Sequence, residues 1–420
     1  MHTSGLMGVI IELTYSGCDV SEPAVNHLVT VDRAIAILDA ALVHRRVVRM
    51  SLFDAAGFRL SEPIVADRDY PPFDKSLMDG FAVRAADVAG SGCELAVMDT
   101  IAAGQTGIAI GPGQSAAIMT GAPVPPGADA VVPVEQTTRL GDRVRISNPV
   151  RPGNAIARRG SDTAANRVLL ESGVMLGPAQ IAVAASVGAA TVSVYSRPSV
   201  AVLSTGDELI DIDRQPTGAQ IRNSNSIMLV SLLRQLGCDV RQVAHVRDTL
   251  NDVLSAIQSN LHSDAIFVTG GMSMGEFDFV PAALKQLGAT FHIAKLRIKP
   301  GKPFVYTRLH GDRCHIFGLP GNPVSAYVCT LRLASRILSR FAGGSADPKT
   351  ITAKLTAPMP ANGPREVYHP AVVNDGQATP LSPRGSADIF TLARANSLIV
   401  RRENIAAAVA GDEVSLISIG

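Results

Sequence analysis

Tryptophan is absent from this 420-residue chain, and all aromatic residues together make up only 4% of it. Its cores must therefore be built mainly from Val, Ile, Leu and Ala, within an apolar content of 46%. Neither sign of charge is in excess: 38 Lys and Arg face 37 Asp and Glu. No global field points to nucleic acid, so an anion site has to come from a local cluster. The five cysteines, Cys18, Cys93, Cys238, Cys314 and Cys329, are scattered, odd in number and without a Cys-x-x-Cys pair. That argues against a disulfide framework or a zinc site and for the reduced thiols of a cytoplasmic protein. Long hydrophobic runs are missing too. The stretch Gly5-Leu6-Met7-Gly8-Val9-Ile10-Ile11 lacks a basic leader, soon meets Glu12 and is far too short to span a membrane. Residues 1–29 read as an N-terminal extension. No Ser/His/Asp order, nucleophile elbow or His/Cys ligand spacing is present.

What is present divides by texture. The length exceeds one ordinary domain. Residues 30–44 read as a helix that Thr30 can cap, with Ile35, Leu38 and Leu42 at helical spacing. From 71 to 150, short apolar runs alternate with Gly/Pro turns, which predicts a β-rich domain. A helix returns at 178–188, with Pro178 near its start and Gly188 after its end. From 198 onward strands alternate with helices. Strands are predicted at 199–203, 238–246, 264–268 and 315–319, and helices at about 224–236, 251–261, 279–287 and 323–340. That order predicts an α/β domain with a mostly parallel sheet and helices on both faces. Residues 347–420 revert to short alternating patterns and predict a C-terminal β-barrel.

In open α/β sheets, ligands bind beyond the carboxyl ends of the strands. Three predicted strand ends carry loops rich in Gly, Ser, Thr and carboxylate: Ser204 to Glu208, Thr269 to Asp278, and Leu319 to Ser325. One such loop is ordinary α/β punctuation, but three in one domain predict a ligand cleft with backbone amides aimed at an anion. In Lys295-Leu296-Arg297-Ile298-Lys299 a strand would place the three cations on one face. They repel unless an anion sits among them, although lysines also protect edge strands. Asp79, Asp162, Asp207, Glu208, Asp248 and Asp278 lie in or beside loops, as Mg²⁺ with a phosphate would require. Asp207 and Asp248 would equally serve as helix caps. The loop Pro71-Pro72-Phe73-Asp74-Lys75-Ser76-Leu77-Met78-Asp79-Gly80-Phe81-Ala82-Val83 mixes apolar side chains with two carboxylates and is expected to pack while presenting them.

Seven segments in register resemble the molybdopterin molybdenumtransferase family, which includes MoeA and the gephyrin E-domain. They are Pro71 to Val83; Ile118-Met119-Thr120-Gly121-Ala122-Pro123-Val124-Pro125; Arg158-Arg159-Gly160-Ser161-Asp162; Leu203 to Leu209; Thr269-Gly270-Gly271-Met272-Ser273-Met274-Gly275-Glu276-Phe277-Asp278; Lys299-Pro300-Gly301-Lys302-Pro303; and Gly318 to Ser325. The resemblance implies a helical linker segment at 30–70 and 155–198, a β-rich domain at 71–154, the α/β molybdopterin-binding domain at 199–343 and the barrel at 347–420. It also implies an elongated homodimer whose cleft lies between the α/β domain of one subunit and the β domain of the other.

The implied reaction transfers molybdenum from molybdate into adenylylated molybdopterin, with release of AMP and help from Mg²⁺. Asp79, Glu208, Asp248 and Asp278 are implied around the metal. Thr120, Asp162, Ser204, Thr205, Gly206, Gly270, Gly271, Ser273, Gly275, Lys295 and Lys299 are implied in substrate binding. Pro320, Gly321, Asn322, Pro323 and Ser325 would border the oxyanion pocket, to which the barrel adds Ser386 and His369. The family usually has Asn at 75, Glu at 161, Asp at 223 and an oxyanion-binding Arg at 369, where this chain has Lys75, Ser161, Asn223 and His369. Histidine is a weaker, pH-dependent oxyanion partner, and Arg365 could substitute from the same segment. These departures suggest a divergent paralogue. Two other readings stand beside it: a molybdopterin adenylyltransferase or nucleotide pyrophosphatase activity of the α/β domain, and a non-catalytic scaffold or cofactor carrier. A molybdopterin adenylyltransferase and molybdoenzyme maturation proteins are the implied partners, with no nucleic acid and no membrane.

Overall fold

The computed structural model describes residues 28–272, 279–311, 313–345 and 348–419. The chain divides into two compact units: Val47–Tyr195, and a second formed by the residues up to Arg46 together with those from Ser196 onward.

The Val47–Tyr195 unit is built on a six-stranded sheet. Its order is Ala130–Pro133, Gly80–Val83, Gln114–Ile118, Cys93–Ile101, Arg143–Ile146 and Thr137–Leu140. Only the Cys93–Ile101 and Gln114–Ile118 pair is parallel. Alternation sorts its side chains between two cores. Phe81, Val83 and Val132 fall on one face, Ala82, Ile118 and Val131 on the other. Strand Gly80–Val83 is therefore wholly buried. The predicted helix appears as Pro178–Ser186, and it packs on the ribbon of Val47–Ser51 with Thr191–Tyr195. Two further short pairs join Lys75–Ser76 to Ile156–Ala157 and Ile64–Val65 to Val168–Leu170. The segments read as a helical linker thus carry short paired strands beside their helices, and the β-branched runs (such as Val47-Val48 and Thr191-Val192) are the parts that favour a pleated surface. The linker's other helix, Val31–Ala40, buries Val31, Ala34 and Leu38 in the core of the second unit.

In that second unit the predicted α/β sheet runs Asp239–Val246, Ser199–Thr205, Ala265–Thr269, Cys314–Leu319, Val305–Leu309 and Thr290–Ile293. The first four strands are parallel, and the next is antiparallel to its neighbours on both sides. Successive residues feed opposite cores. Val200, Val202 and Phe267 meet helices Val31–Ala40, Ser224–Gln235 and the long 323–341 segment; Ala201, Leu203 and Ile266 meet Leu250–Ser259 and Phe279–Gln286. Covering on both faces explains why these strands read as continuous apolar runs. The scarce aromatics gather here: Phe317 stacks on Phe267 and Tyr306 at 5.0 and 5.4 Å between ring centroids. The long helix is interrupted by a π-spaced turn at Thr330–Ala334.

The expected C-terminal barrel is present. Glu366–Asn374, Gln377–Pro380, Thr350–Leu355, Glu413–Ser418 and Ser397–Arg401 follow one another, and the last pairs back onto the first. A sixth short strand, Ile298–Lys299, joins parallel to Glu366–Val367 from the α/β side of the unit. No helix among the described residues is long and apolar enough to cross a membrane.

Gly80 admits no side chain, since a Cβ there would lie 2.0 Å from the Val132 carbonyl oxygen. Gly80→Ala is expected to destabilise the protein by about 2–3 kcal/mol through forced backbone movement. Urea unfolding checks this, and an unchanged midpoint would contradict the packing described.

Candidate active site

Three adjacent parallel strands, ending at Thr205, Thr269 and Leu319, bring the starts of the three predicted loops side by side. They enclose a pocket of about 90 Å³ lined by Thr205, Glu208, Asn225, Thr269, Gly270 and Gly321, among others. Gly270 has φ +93°, and a Cβ would lie 2.1 Å from the Thr205 carbonyl oxygen, so the loops touch backbone to backbone. Gly271 also has positive φ and borders the Thr205 hydroxyl and the Asp248 carboxylate. At Gly206 the space of a side chain is taken by the Glu208 carboxylate, 2.6 Å from the Cβ position. Asp248 accepts a 2.5 Å hydrogen bond from the Thr205 hydroxyl. Its backbone N–H donates to Asp207. The capping alternative for Asp248 fails: Thr249 caps the following helix, with its hydroxyl accepting from the Asp252 N–H. Asp207 lies in a turn and caps no helix either.

Ser204 sits beneath this pocket rather than in it. Its hydroxyl is fully buried, accepts from the Asn223 amide at 2.7 Å and donates to the Ala244 carbonyl. Asn223 also caps helix Ser224–Gln235 through its oxygen. An aspartate would cap as well but could not donate to Ser204, which gives this departure a local reason. Asn225 was not singled out by sequence reasoning. Its amide nitrogen donates to the Thr269 hydroxyl and the Gly321 carbonyl, while its side-chain oxygen is shielded from solvent without a partner among the described residues. The Asn-Ser-Asn run at the helix start was the available signal. Ser273, Gly275 and Asp278 lie outside the described residues.

The third loop also opens on a second cavity, of about 920 Å³, between the α/β sheet and the barrel. Pro320, Asn322 and Ser325 line it from one side, Lys299 and Lys302 from the connecting segment, and His369 and Ser386 from the barrel. Asn322 donates to the Ser386 hydroxyl at 2.8 Å, and Pro323 starts the helix behind it. The cations of the 295–299 segment are not equivalent. Leu296 and Ile298 are buried as alternation requires, but Arg297 pairs with Glu403 at 3.8 Å and Lys295 does not line the cavity. Lys299 does, together with the exposed Arg365 and Arg384. His369 turns Nε2 to the Leu381 carbonyl. Burial, reinforced by Lys299 and Arg401, holds its pKa below the usual histidine value against the effect of that hydrogen bond. Nε2 must carry the proton to meet a carbonyl, so neutral His369 offers no charge to an oxyanion.

In the Val47–Tyr195 unit the two loop carboxylates separate by role. Asp74 is tied down by Arg158 at 2.5 Å and by the Arg159 N–H at 2.8 Å. Asp79 is exposed, and one of its oxygens accepts from both the Thr120 N–H (2.6 Å) and hydroxyl (2.7 Å). Those bonds lower its pKa, the backbone one most, and keep it ionised. Asp162 is exposed and accepts from the neighbouring Ser161 hydroxyl. Lys75 pairs in a strand with Ala157. Among the described residues no three His, Cys, Asp or Glu side chains gather as a metal cage.

Three family models match the chain. Residues 29–188 match the family model described as MoeA N-terminal region (domain I and II). Residues 201–340 match a probable molybdopterin binding domain, and 352–419 the MoeA C-terminal region (domain IV). A molybdopterin molybdenumtransferase of Staphylococcus aureus strain Mu50 is 33% identical over 365 residues, 84% of this chain and 86% of that one. One from Nostoc sp. strain PCC 7120 is 34% identical over 330 residues, 76% of this chain and 75% of that one. The crystal structure of a molybdopterin biosynthesis moea protein from Pyrococcus horikosii superposes with a TM-score of 0.81 at 26% identity. It covers 94% of this chain and all of that one.

The depressed pKa of His369 has a measurable sign. The unfolded chain binds this proton first, so the residue's contribution weakens folding as pH falls below the ordinary 6.5. Titration of its ring resonances by NMR is expected to show a midpoint below 6.5, and a midpoint at or above it would contradict the neutral assignment.

Proposed function

Because this chain belongs to the MoeA family of molybdopterin molybdenumtransferases, we propose that it acts in molybdenum cofactor biosynthesis by transferring molybdenum from molybdate into adenylylated molybdopterin, releasing AMP. The observation that carries this reading is a pair of linked cavities. A narrow pocket edged by glycine backbone and the Glu208 carboxylate adjoins a wide one lined by Lys299, Ser325 and Ser386 and flanked by arginines, and the Pro320–Asn322 loop borders both through Gly321 and Asn322. The first suits a phosphate held by backbone amides, the second a tetrahedral oxyanion such as molybdate.

Glu208 and Asp248 are the described carboxylates fit to hold Mg²⁺, which binds through one or two carboxylates plus waters and substrate phosphate oxygens rather than a full protein cage. When bound, Mg²⁺ would polarise the phosphoanhydride and neutralise charge on the departing phosphate. The chain's own groups do the rest. The Thr205 hydroxyl orients Asp248, Gly206 leaves room for the Glu208 carboxylate, and Lys299 draws the oxyanion to the wall of the wide cavity. Asp79 keeps one oxygen free of the Thr120 bonds, and the apolar Phe73, Leu77, Met78 and Met119 around it are exposed. Apolar side chains beside an ionised carboxylate favour a covering surface, which we take to be a second copy of the chain, giving a homodimer. Cys93, Cys238, Cys314 and Cys329 are free thiols, in keeping with a cytoplasmic setting.

Purified protein supplied with adenylylated molybdopterin, Mg²⁺ and molybdate is expected to release AMP in a molybdate-dependent manner. Lys299→Ala should raise the molybdate requirement by about 10- to 100-fold, the value of a charge-assisted contact. No AMP release where a known insertase works would overturn the proposal in favour of a scaffold or carrier. Release that is indifferent to molybdate would instead indicate a pyrophosphatase.

A further inference from the structure

We infer that Tyr368, Glu366 and Arg332 are positioning residues for the wide cavity: their buried hydrogen-bond chain sets the barrel strand against which Lys299 is registered. This rests on the reading of that cavity as the oxyanion site. On strand Glu366–Asn374, Val367, Tyr368 and His369 border the cavity and Glu366 does not; Glu366 and Tyr368 are buried, at 3% and 1% exposure, so Tyr368 meets the cavity wall while its hydroxyl is engaged behind it. The Tyr368 hydroxyl donates to one Glu366 oxygen at 2.5 Å and accepts from Arg332 Nε at 2.7 Å. The other Glu366 oxygen accepts from Arg402 at 3.3 Å, and Arg402 also binds Asp32 at 2.7 Å. One connected chain therefore joins the helix Val31–Ala40, the π-spaced turn Thr330–Ala334 and the barrel.

Stability alone is a poor reason for this arrangement. Burying the Glu366 carboxylate gains little over well-packed apolar side chains of the same volume, whereas its hydrogen bonds do fix geometry. The π-spaced turn, with Arg332 at its centre, is the place where the long helix gives up regular spacing, and such turns recur at functional sites. The geometry thus fixed leads to the cavity in two steps. The Glu366 N–H donates to the Arg297 carbonyl at 2.9 Å, and the parallel pairing puts Ile298 opposite Glu366 and Lys299 opposite Val367. A displacement of Glu366 is therefore a displacement of Lys299. None of these residues lines the strand-end pocket.

The selectivity of the effect is the test. In the full-length protein, Tyr368→Phe keeps the ring and removes only the linking hydroxyl. The half-saturating molybdate concentration in AMP release is expected to rise about tenfold. The half-saturating adenylylated molybdopterin concentration and kcat at saturating molybdate should stay within about twofold. Binding of tungstate, as a molybdate analogue, measured by calorimetry should weaken by the same factor. Arg332→Lys, which retains the charge but loses the Nε contact, should reproduce the split and serves if the first variant does not fold. Unchanged molybdate and tungstate dependence in the variants would overturn the inference. So would a parallel loss of kcat and both half-saturations, the mark of a merely structural role. Wild-type protein that binds no tungstate and needs no molybdate would instead overturn the oxyanion reading itself, a result distinct from a normal wild type with indifferent variants.

Discussion

The site depends on one joint: the attachment of the barrel to the carboxyl edge of the parallel sheet. Two of its interactions reach the site. The short strand Ile298–Lys299 pairs with the first barrel strand, and Asn322 of the third strand-end loop donates to Ser386 of the barrel. Without the joint, Lys299 and Ser325 would share no cavity wall with the barrel. With it, they share a cavity of about 920 Å³ with Ser386 and His369. The loop from Pro320 to Asn322 reaches both this cavity and the narrow phosphate-sized pocket, so the two halves of the proposed reaction meet at one turn.

Charge around the site is arranged by partnership rather than by number. Arg297 is paired with Glu403, and His369 is kept neutral by burial, with its ring proton committed to Leu381. Lys299, Lys302, Arg365 and Arg384 are among the cations that line the wide cavity. In the other unit, Asp74 is spent on Arg158 and the Arg159 N–H, while Asp79 is held ionised by Thr120 and keeps an oxygen available. Pairs of like residues in the sequence thus carry different roles, and hydrogen-bond partners decide which is which.

Much of this was legible in the sequence. The buried parallel strands and their helices follow from apolar runs and period, and the predicted loops stand where strand ends place them. Thr30 caps its helix as read, and Leu296 and Ile298 are buried as alternation demands. Other features depend on contacts distant in sequence. Ser204 looks like a loop ligand until Asn223 and Ala244 are seen to take its hydroxyl. The chain from Asp32 to Arg402 links residues 370 positions apart, which no local pattern encodes. The strands within the helical linker segments went unread because short β-branched runs find partners more than a hundred residues away, as Val47–Ser51 does with Thr191–Tyr195.

The central claim is that the joint between sheet and barrel forms the oxyanion site. Anomalous diffraction from crystals soaked in molybdate or tungstate tests it directly. The account predicts a metal-edge peak in the wide cavity, within reach of Lys299, Ser325 and Ser386. A well-occupied peak confined to the strand-end pocket beside Thr205 and Gly270, with the wide cavity empty at the same concentration, would contradict it.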